Sequence, residues 1–177
     1  DRVFNELLNA QATGKLKGIK GKAGQLLSIH KEYDKAASTA GRSLLTRIVV
    51  DRFVDGQKAL DYLRSHKIGQ AAFIALDKIP NFSEAISTPY RSPDNTKRIY
   101  DLVTCSSEHY KNLAYFIFKD TLWAPNLSIA NNVAFGNPQR RRVVTKDGDL
   151  IEPSGLFSGN NPAQGLITLN ERSSNVP

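Results

Sequence analysis

Two short apolar strands joined by one amphipathic helix limit the fold of this chain more than any other feature. Ile48-Val49-Val50 is an unbroken β-branched run, the pattern of a strand covered on both faces. Ala71-Ala72-Phe73-Ile74-Ala75-Leu76 is a second buried run. Between them, Asp55 to Lys67 places Ala59, Leu60 and Leu63 inward and Lys58, Asp61 and Arg64 outward, the face pattern of a helix that Gly69 stops. Strand, helix, strand in this order is a parallel crossover, so the chain must build a sheet with helices against it. A shorter Ala-rich helix, Glu32 to Ala40, precedes the unit with Tyr33, Ala36, Ala37 and Ala40 on one side, and Gly41 is placed to cap it.

The same order returns later. Ile99 to Thr104 is expected as a strand. Ser106 or Ser107 caps a helix whose Tyr110, Leu113, Ala114, Ile117 and Phe118 follow helical spacing. Thr121-Leu122-Trp123 is a short extended piece. Asn126 caps a helix with Leu127, Ala130, Val133 and Ala134 inward and Gly136 at its end, and Arg142 to Thr145 is a strand. Helix, strand, helix, strand therefore runs from Tyr33 to Leu76 and again from Glu108 to Thr145, an offset of roughly seventy residues. The expected fold is α+β (mixed α/β), with two similar subdomains, each a small mixed sheet packed with helices. Residues 1–14 read as the end of a longer helix with Val3, Phe4, Leu7 and Leu8 on its stripe, 15–80 as the first subdomain, and 81–97 as a Pro-rich connector. Residues 98–160 read as the second subdomain and 161–177 as a tail to which the pattern assigns no role.

After Thr145 the chain turns back. Lys146-Asp147-Gly148-Asp149 suits a type I′ hairpin, and Leu150-Ile151 begins the return strand. Pro153, Gly155 and Gly159 interrupt it, and because proline cannot donate to a ladder this strand is an edge. An apolar edge carrying Leu156 and Phe157 invites aggregation unless something pairs with it. A second protein chain is the expected occupant, which places Leu150, Ile151, Gly155, Leu156, Phe157 and Gly159 in or beside an interface.

Lys plus Arg number 24 against 17 acids, a net charge of +7 that favours an acidic partner such as DNA. Arg140, Arg141 and Arg142, with Lys15, Lys17, Lys20 and Lys22, are the candidate phosphate contacts; a solvated strand edge is the plainer reading of the same run. Gly18, Gly21 and Gly24 match neither the Walker spacing nor the dinucleotide fingerprint. Cys105 and His109 are too few for a zinc site, and no Gly-x-Ser-x-Gly elbow exists, so no catalytic, cofactor-binding or metal residue is assigned. One cysteine excludes an internal disulfide and favours a reducing compartment. No apolar run approaches the roughly 20 residues of a membrane span, so no membrane partner is expected. The absence of methionine, even at the start, makes an internal piece of a longer protein the simplest expectation.

An ordered series of segments carries a resemblance. Gly18-Ile19-Lys20-Gly21-Lys22-Ala23-Gly24, Tyr33 to Ala40, Ile48 to Asp51, Ala71 to Asp77, Asp120-Thr121-Leu122, Ala130 to Gly136, and Arg142 to Ile151 with Ser154 to Gly159 together resemble the hinge domain of SMC proteins. The likeness covers about Leu16 to Asn160. Ile86-Ser87-Thr88-Pro89, followed by Arg98 to Val103, looks most like the hinge of the larger condensin SMC subunit, the CAP-C type. The family often has a longer glycine run where Gly159-Asn160-Asn161 stands, and cysteine is common in the condensin type where Gly41 stands. The resemblance implies a hinge at the far end of an antiparallel coiled coil, joined to a second hinge by sheet edges of unlike subdomains. It implies the hinge of the second condensin SMC subunit (CAP-E type) as partner, DNA on basic surfaces, and a nuclear, chromosomal setting. ATP and Mg would serve head domains outside this stretch, with no cofactor within it. The residues taken alone leave a monomeric basic nucleic-acid-binding module open beside the paired joint.

Overall fold

The computed structural model describes residues 1–136 and 138–171; the end of the expected tail, 172–177, lies outside the described residues. Helix α1 (Arg2–Ala12) is capped by the Asp1 carboxylate and ends at Thr13, with Phe4, Leu7 and Ala10 buried. Strands β1 (Ile19–Lys22) and β2 (Leu27–His30) follow. Then come α2 (Asp34–Leu45), β3 (Ile48–Val50), α3 (Phe53–Ser65) and β4 (Phe73–Ala75). The connector holds one short helix, α4 (Ser83–Ser87). The second half opens with β5 (Lys97–Arg98), α5 (Ile99–Leu102) and β6 (Thr104–Cys105). It continues with α6 (Lys111–Phe118), β7 (Leu122–Ala124), α7 (Leu127–Ala134) and β8 (Val143–Thr145). Three short strands close the chain: β9 (Leu150–Ile151), β10 (Phe157–Ser158) and β11 (Thr168–Asn170).

The repeat is real in three dimensions. One sheet has the order β1-β3-β4, with β1 antiparallel to β3 and β3 parallel to β4 across α3. The other contains β5-β7-β8 in the same relation, with α7 as crossover, and extends it by β9 and β10. A third sheet, β11-β2-β6, joins strands from both halves. The main core likewise crosses between them: Ala36, Ala37, Leu45 and Val49 pack with Leu113, Ala114, Ile117, Phe118 and Val144.

Several local expectations are corrected. Ile99 to Leu102 is a helical turn, not a strand. Ile99 and Leu102, three apart, are both buried, and Arg98 binds Asp101 at 2.8 Å across the same turn, so a short apolar run of ambiguous period resolves as helix. Gly41 does not cap α2. The helix runs on to Leu45, and a Cβ at Gly41 would stand 2.7 Å from Leu45 Cδ1 and 3.2 Å from Ile117 Cγ2, so the glycine serves close packing against α6. Leu60, expected inward, is 39% exposed, while Ala59 and Leu63 are buried.

The tail also gains a role. It returns as a strap along α2, whose polar side chains satisfy its backbone. The N–H groups of Ala163, Gly165 and Leu166 donate to Thr39 Oγ1 (3.0 Å), Asp34 Oδ1 (3.0 Å) and Ser38 Oγ (3.1 Å). Ser38 donates in turn to Asp34 Oδ1 at 2.8 Å. This accounts for three polar residues buried on α2. Ile167 then enters the main core and β11 lies parallel to β2. A Cβ at Gly24 would meet the Leu166 carbonyl oxygen, a backbone atom that cannot turn aside. Gly24→Ala should therefore lift the strap and cost about 1–3 kcal/mol of stability. Urea unfolding, with amide exchange of 163–170 as the local readout, checks this; unchanged exchange there would contradict it.

Candidate sheet-edge interface

The β8–β9 hairpin departs from the expected type I′ turn. Val143 faces Ile151 and Val144 faces Leu150. The Thr145 N–H donates to the Asp149 carbonyl at 2.8 Å, leaving Lys146-Asp147-Gly148 as the loop, with only Gly148 left-handed at φ +89. A type I turn followed by a left-handed glycine fits this count. The Thr145 and Asp149 side chains lock it: Thr145 Oγ1 donates to Asp149 Oδ2 (3.1 Å) and accepts from the Asp149 N–H (3.0 Å). The β9–β10 hairpin repeats the device. The Glu152 N–H donates to the Leu156 carbonyl at 2.8 Å across Pro153-Ser154-Gly155, and Gly155 has φ +98.

These two turns bring β10 to the outside of the five-stranded sheet. Phe157 pairs with Ile151 next to the hydrogen-bonded Glu152–Leu156 pair, so the alternation of an antiparallel ladder turns its N–H and carbonyl away from the sheet. Leu156 is 72% and Phe157 80% exposed. The strap does not cover this edge, because β11 pairs with β2.

The other half has a matching open strand that the sequence reading did not single out. The Ile48 N–H binds the Ala72 carbonyl and the Leu76 N–H binds that of Val50, each at 2.9 Å, so the Phe73 N–H and carbonyl face outward from β4. Beside β4 is an apolar groove of about 340 Å³ walled by Leu44, Phe53, Leu60, Phe73, Ile79 and Phe116. Phe53 is 50% exposed there. The opposite ends of these two sheets are β1, with Lys20 and Lys22, and β5, with Lys97 and Arg98. Charge of this kind deters edge pairing. Of the ends of these two sheets, β4 and β10 are uncharged; β11 and β6, the ends of the third sheet, carry no charge either.

The return strand of Leu150 and Ile151 is not the edge expected of it: Pro153-Ser154-Gly155 turns the chain into β10, so Leu150 and Ile151 lie one strand in, half-buried and buried respectively. Gly155 is on the exposed loop with nothing within 4 Å of a Cβ, and Gly159 abuts the Asp149 carboxylate. The basic residues do not gather into one patch. Lys15 and Lys17 are exposed in the segment after α1. Lys20 pairs with Asp51 at 3.4 Å, and Lys22 with Asp1 at 2.8 Å while lying over the Phe4 ring. Arg140 lies over the Phe135 ring and donates to the Pro153 carbonyl at 3.1 Å; Arg141 donates to Tyr90 Oη at 2.9 Å. Arg142, just before β8, reaches the Ala40 carbonyl of α2 at 3.2 Å and pairs with Glu152, so it ties the halves together. All three arginines line a cavity of about 590 Å³ shared with Arg42, Lys119 and Asp120. Arg42 and Lys119 went unnoticed because each is isolated in the sequence. Burial lowers the Lys119 ammonium from its ordinary range, with the Phe82 ring 4.0 Å away.

Cys105 is half-buried, and burial raises its thiol, which disfavours the thiolate a nucleophile needs. Among the described residues no group of three or more His, Cys, Asp or Glu could hold a metal ion, and no helix is long and apolar enough to cross a membrane.

Comparison with known proteins agrees with this architecture. The family model described as SMC proteins Flexible Hinge Domain matches residues 16–134. Structural maintenance of chromosomes protein 4 of Saccharomyces cerevisiae is 41% identical over 170 residues, 95% of this chain. The human protein of the same name is 37% identical over 158 residues, 89% of the chain. The chain spans only 12% of the length of each. Among solved structures, an asymmetric dimer of the Geobacillus stearothermophilus SMC hinge domain is similar with a TM-score of 0.76 and 27% identity, covering 94% of this chain and 68% of that one. The Pyrococcus furiosus SMC hinge domain shares the fold at a TM-score of 0.71 and 22% identity, covering 99% and 88%. In sequence over most of its length, and in the path of its backbone, this chain belongs to the SMC hinge domain family.

Proposed function

We propose that this chain is the dimerisation hinge of a condensin-type SMC subunit, and that its partner is the hinge of the second condensin SMC chain (the CAP-E type). The observation that carries the reading is β10, an uncharged open edge bearing Leu156 and Phe157 at 72% and 80% exposure. A partner strand adding to it gains main-chain hydrogen bonds, with side-chain pockets supplying selectivity. The β4 edge and its groove offer the concave counterpart, so two hinges meeting β10 to β4 twice close into a ring. The relatives' names and the dimeric bacterial hinge support the same reading. The setting we propose is the chromosome, in the nucleus. ATP and Mg act at head domains elsewhere in the full-length protein.

Phe157→Glu should weaken the complex with the partner hinge by at least about 2 kcal/mol, roughly thirtyfold. Stability should stay within about 0.5 kcal/mol of the parent, because the side chain is exposed. Size-exclusion chromatography and sedimentation with the purified partner hinge read this out, and an undiminished complex sinks the assigned edge. Gly155→Glu is the poorer probe, since φ +98 adds backbone strain of its own.

DNA binding is the second part of the proposal. The cationic cavity also favours the rival reading of a monomeric nucleic-acid-binding module, which predicts no complex in the same sedimentation run. Affinity for DNA should fall steeply with salt, and Arg140→Ala with Arg141→Ala should flatten that slope by about one or two. Arg142→Gln should instead lower stability by about 1–3 kcal/mol, because it leaves Glu152 and the Ala40 carbonyl without their donor. Titrating labelled DNA at several salt concentrations, alongside urea unfolding, separates the two roles. An unchanged slope in the double variant would remove these arginines from the contact.

A further inference from the structure

The connector between the halves carries a segment that the paired edge does not use. Thr88-Pro89-Tyr90-Arg91 follows α4 outside any helix or strand, and Thr88, where the chain bends away from the helix, has the extended values φ −74 and ψ 126. Thr88, Pro89 and Arg91 are exposed. The Thr88 N–H and Oγ1 both donate to the Glu84 carbonyl, at 3.0 and 2.7 Å. A protein kinase holds its acceptor segment extended, so a folded chain is modified where an exposed hydroxyl already lies in such backbone. Proline directly after the acceptor presents no N–H for the enzyme to satisfy. A cation three places on can pair with an acidic group of the enzyme.

We propose that Thr88 is a phosphoacceptor for a proline-directed Ser/Thr kinase that prefers a basic third residue after the acceptor. Ser92-Pro93 provides the comparison within the same connector. Ser92 is half-buried, its Oγ accepts from the Arg98 N–H at 3.2 Å, and the third residue after it is Asn95. In the transfer, Thr88 Oγ1 forms a bond to the γ-phosphorus of ATP as the bond to ADP breaks, and the hydroxyl proton passes to the base of the kinase.

The phosphate changes the end of α4 in one direction. It removes the hydroxyl hydrogen that Glu84 accepts and sets a dianion beside that carbonyl. Thr88 lines a cleft with Glu84, Arg98 and Asp120, and Arg98 is already paired to Asp101 and Asp120 at 2.8 and 3.0 Å. The acids therefore oppose the new charge, and the last turn of α4 opens. The start of the helix stays anchored, because the Phe82 N–H donates to Asn112 Oδ1 on α6 at 2.7 Å.

The test is to incubate the folded chain with a cyclin-dependent kinase as proline-directed probe and ATP, and to locate the phosphate by fragmentation mass spectrometry. One phosphate on Thr88 is expected. Thr88→Ala should lose it, Ser92→Ala should keep it, and Arg91→Ala should slow the initial rate about tenfold. Amide exchange of 84–88 should quicken on phosphorylation while that of α6 stays unchanged. Labelling of a synthetic 84–95 peptide but not of the folded chain would overturn the proposal, as would label on Ser92 in place of Thr88. Exchange of 84–88 left unchanged in the phosphorylated protein would overturn the opening of α4.

Discussion

Burial of α2 between the two repeated halves governs where the other elements can go. One side of the helix is nearly all small: Ala36, Ala37 and Ala40, with Gly41 following. That lets α6 approach closely, with Ile117 beside Gly41. Its polar side chains, Asp34, Ser38 and Thr39, are buried and would be costly if left unpartnered. The strap supplies the missing donors, and Arg142 reaches the Ala40 carbonyl from the other half. A helix that belongs by sequence to the first half is thus held by the second half and by the chain end. The two repeats share one core, and the strap and β2–β6 pairing stitch them.

That arrangement occupies the interior and leaves the sheet ends to be managed separately. At β1 and β5 the chain places lysine and arginine. At β4 and β10 it places phenylalanine, and gives β4 an apolar groove. Open uncharged edges are a hazard that folded chains usually suppress, so leaving one in each half of a repeat argues for a use. The two glycine-left-handed hairpins are what carry the second half past β8 to an edge that the first half lacks. This asymmetry between like halves makes β10 and β4 different surfaces, as the proposed pairing of one with the other across two chains requires.

Much of the fold was legible because its signals are local. Val49 and Val50, or Ala130 and Ala134, declare their faces by spacing alone, and Asn126 caps its helix through its own side chain, accepting from the Ile129 N–H at 3.0 Å. That Leu156 and Phe157 lie on an edge was legible, but Pro153 and Gly155 mark a turn into a further strand and not the edge itself, so the Leu150-Ile151 strand is interior. What misled were positions decided by neighbours. Gly41 looks like a helix end until α6 lies against it. Ile99 to Leu102 suits either period until Arg98 and α6 select the helix. Leu60 sits at an inward spacing, yet faces a groove that only β4 and Phe116 complete.

The sequence by itself determined the repeated strand–helix–strand units and the apolar, turn-broken segment after them, because periodicity, capping and turn residues act within a few residues of chain. Only the tertiary structure decided that the tail is a strap on α2, that Arg142 is a clamp while Arg140 and Arg141 line a cavity with Arg42 and Lys119, and that β4 is a second open edge. Those outcomes join residues as far apart as Asp34 and Gly165, and partners at that separation leave no pattern in a one-dimensional reading.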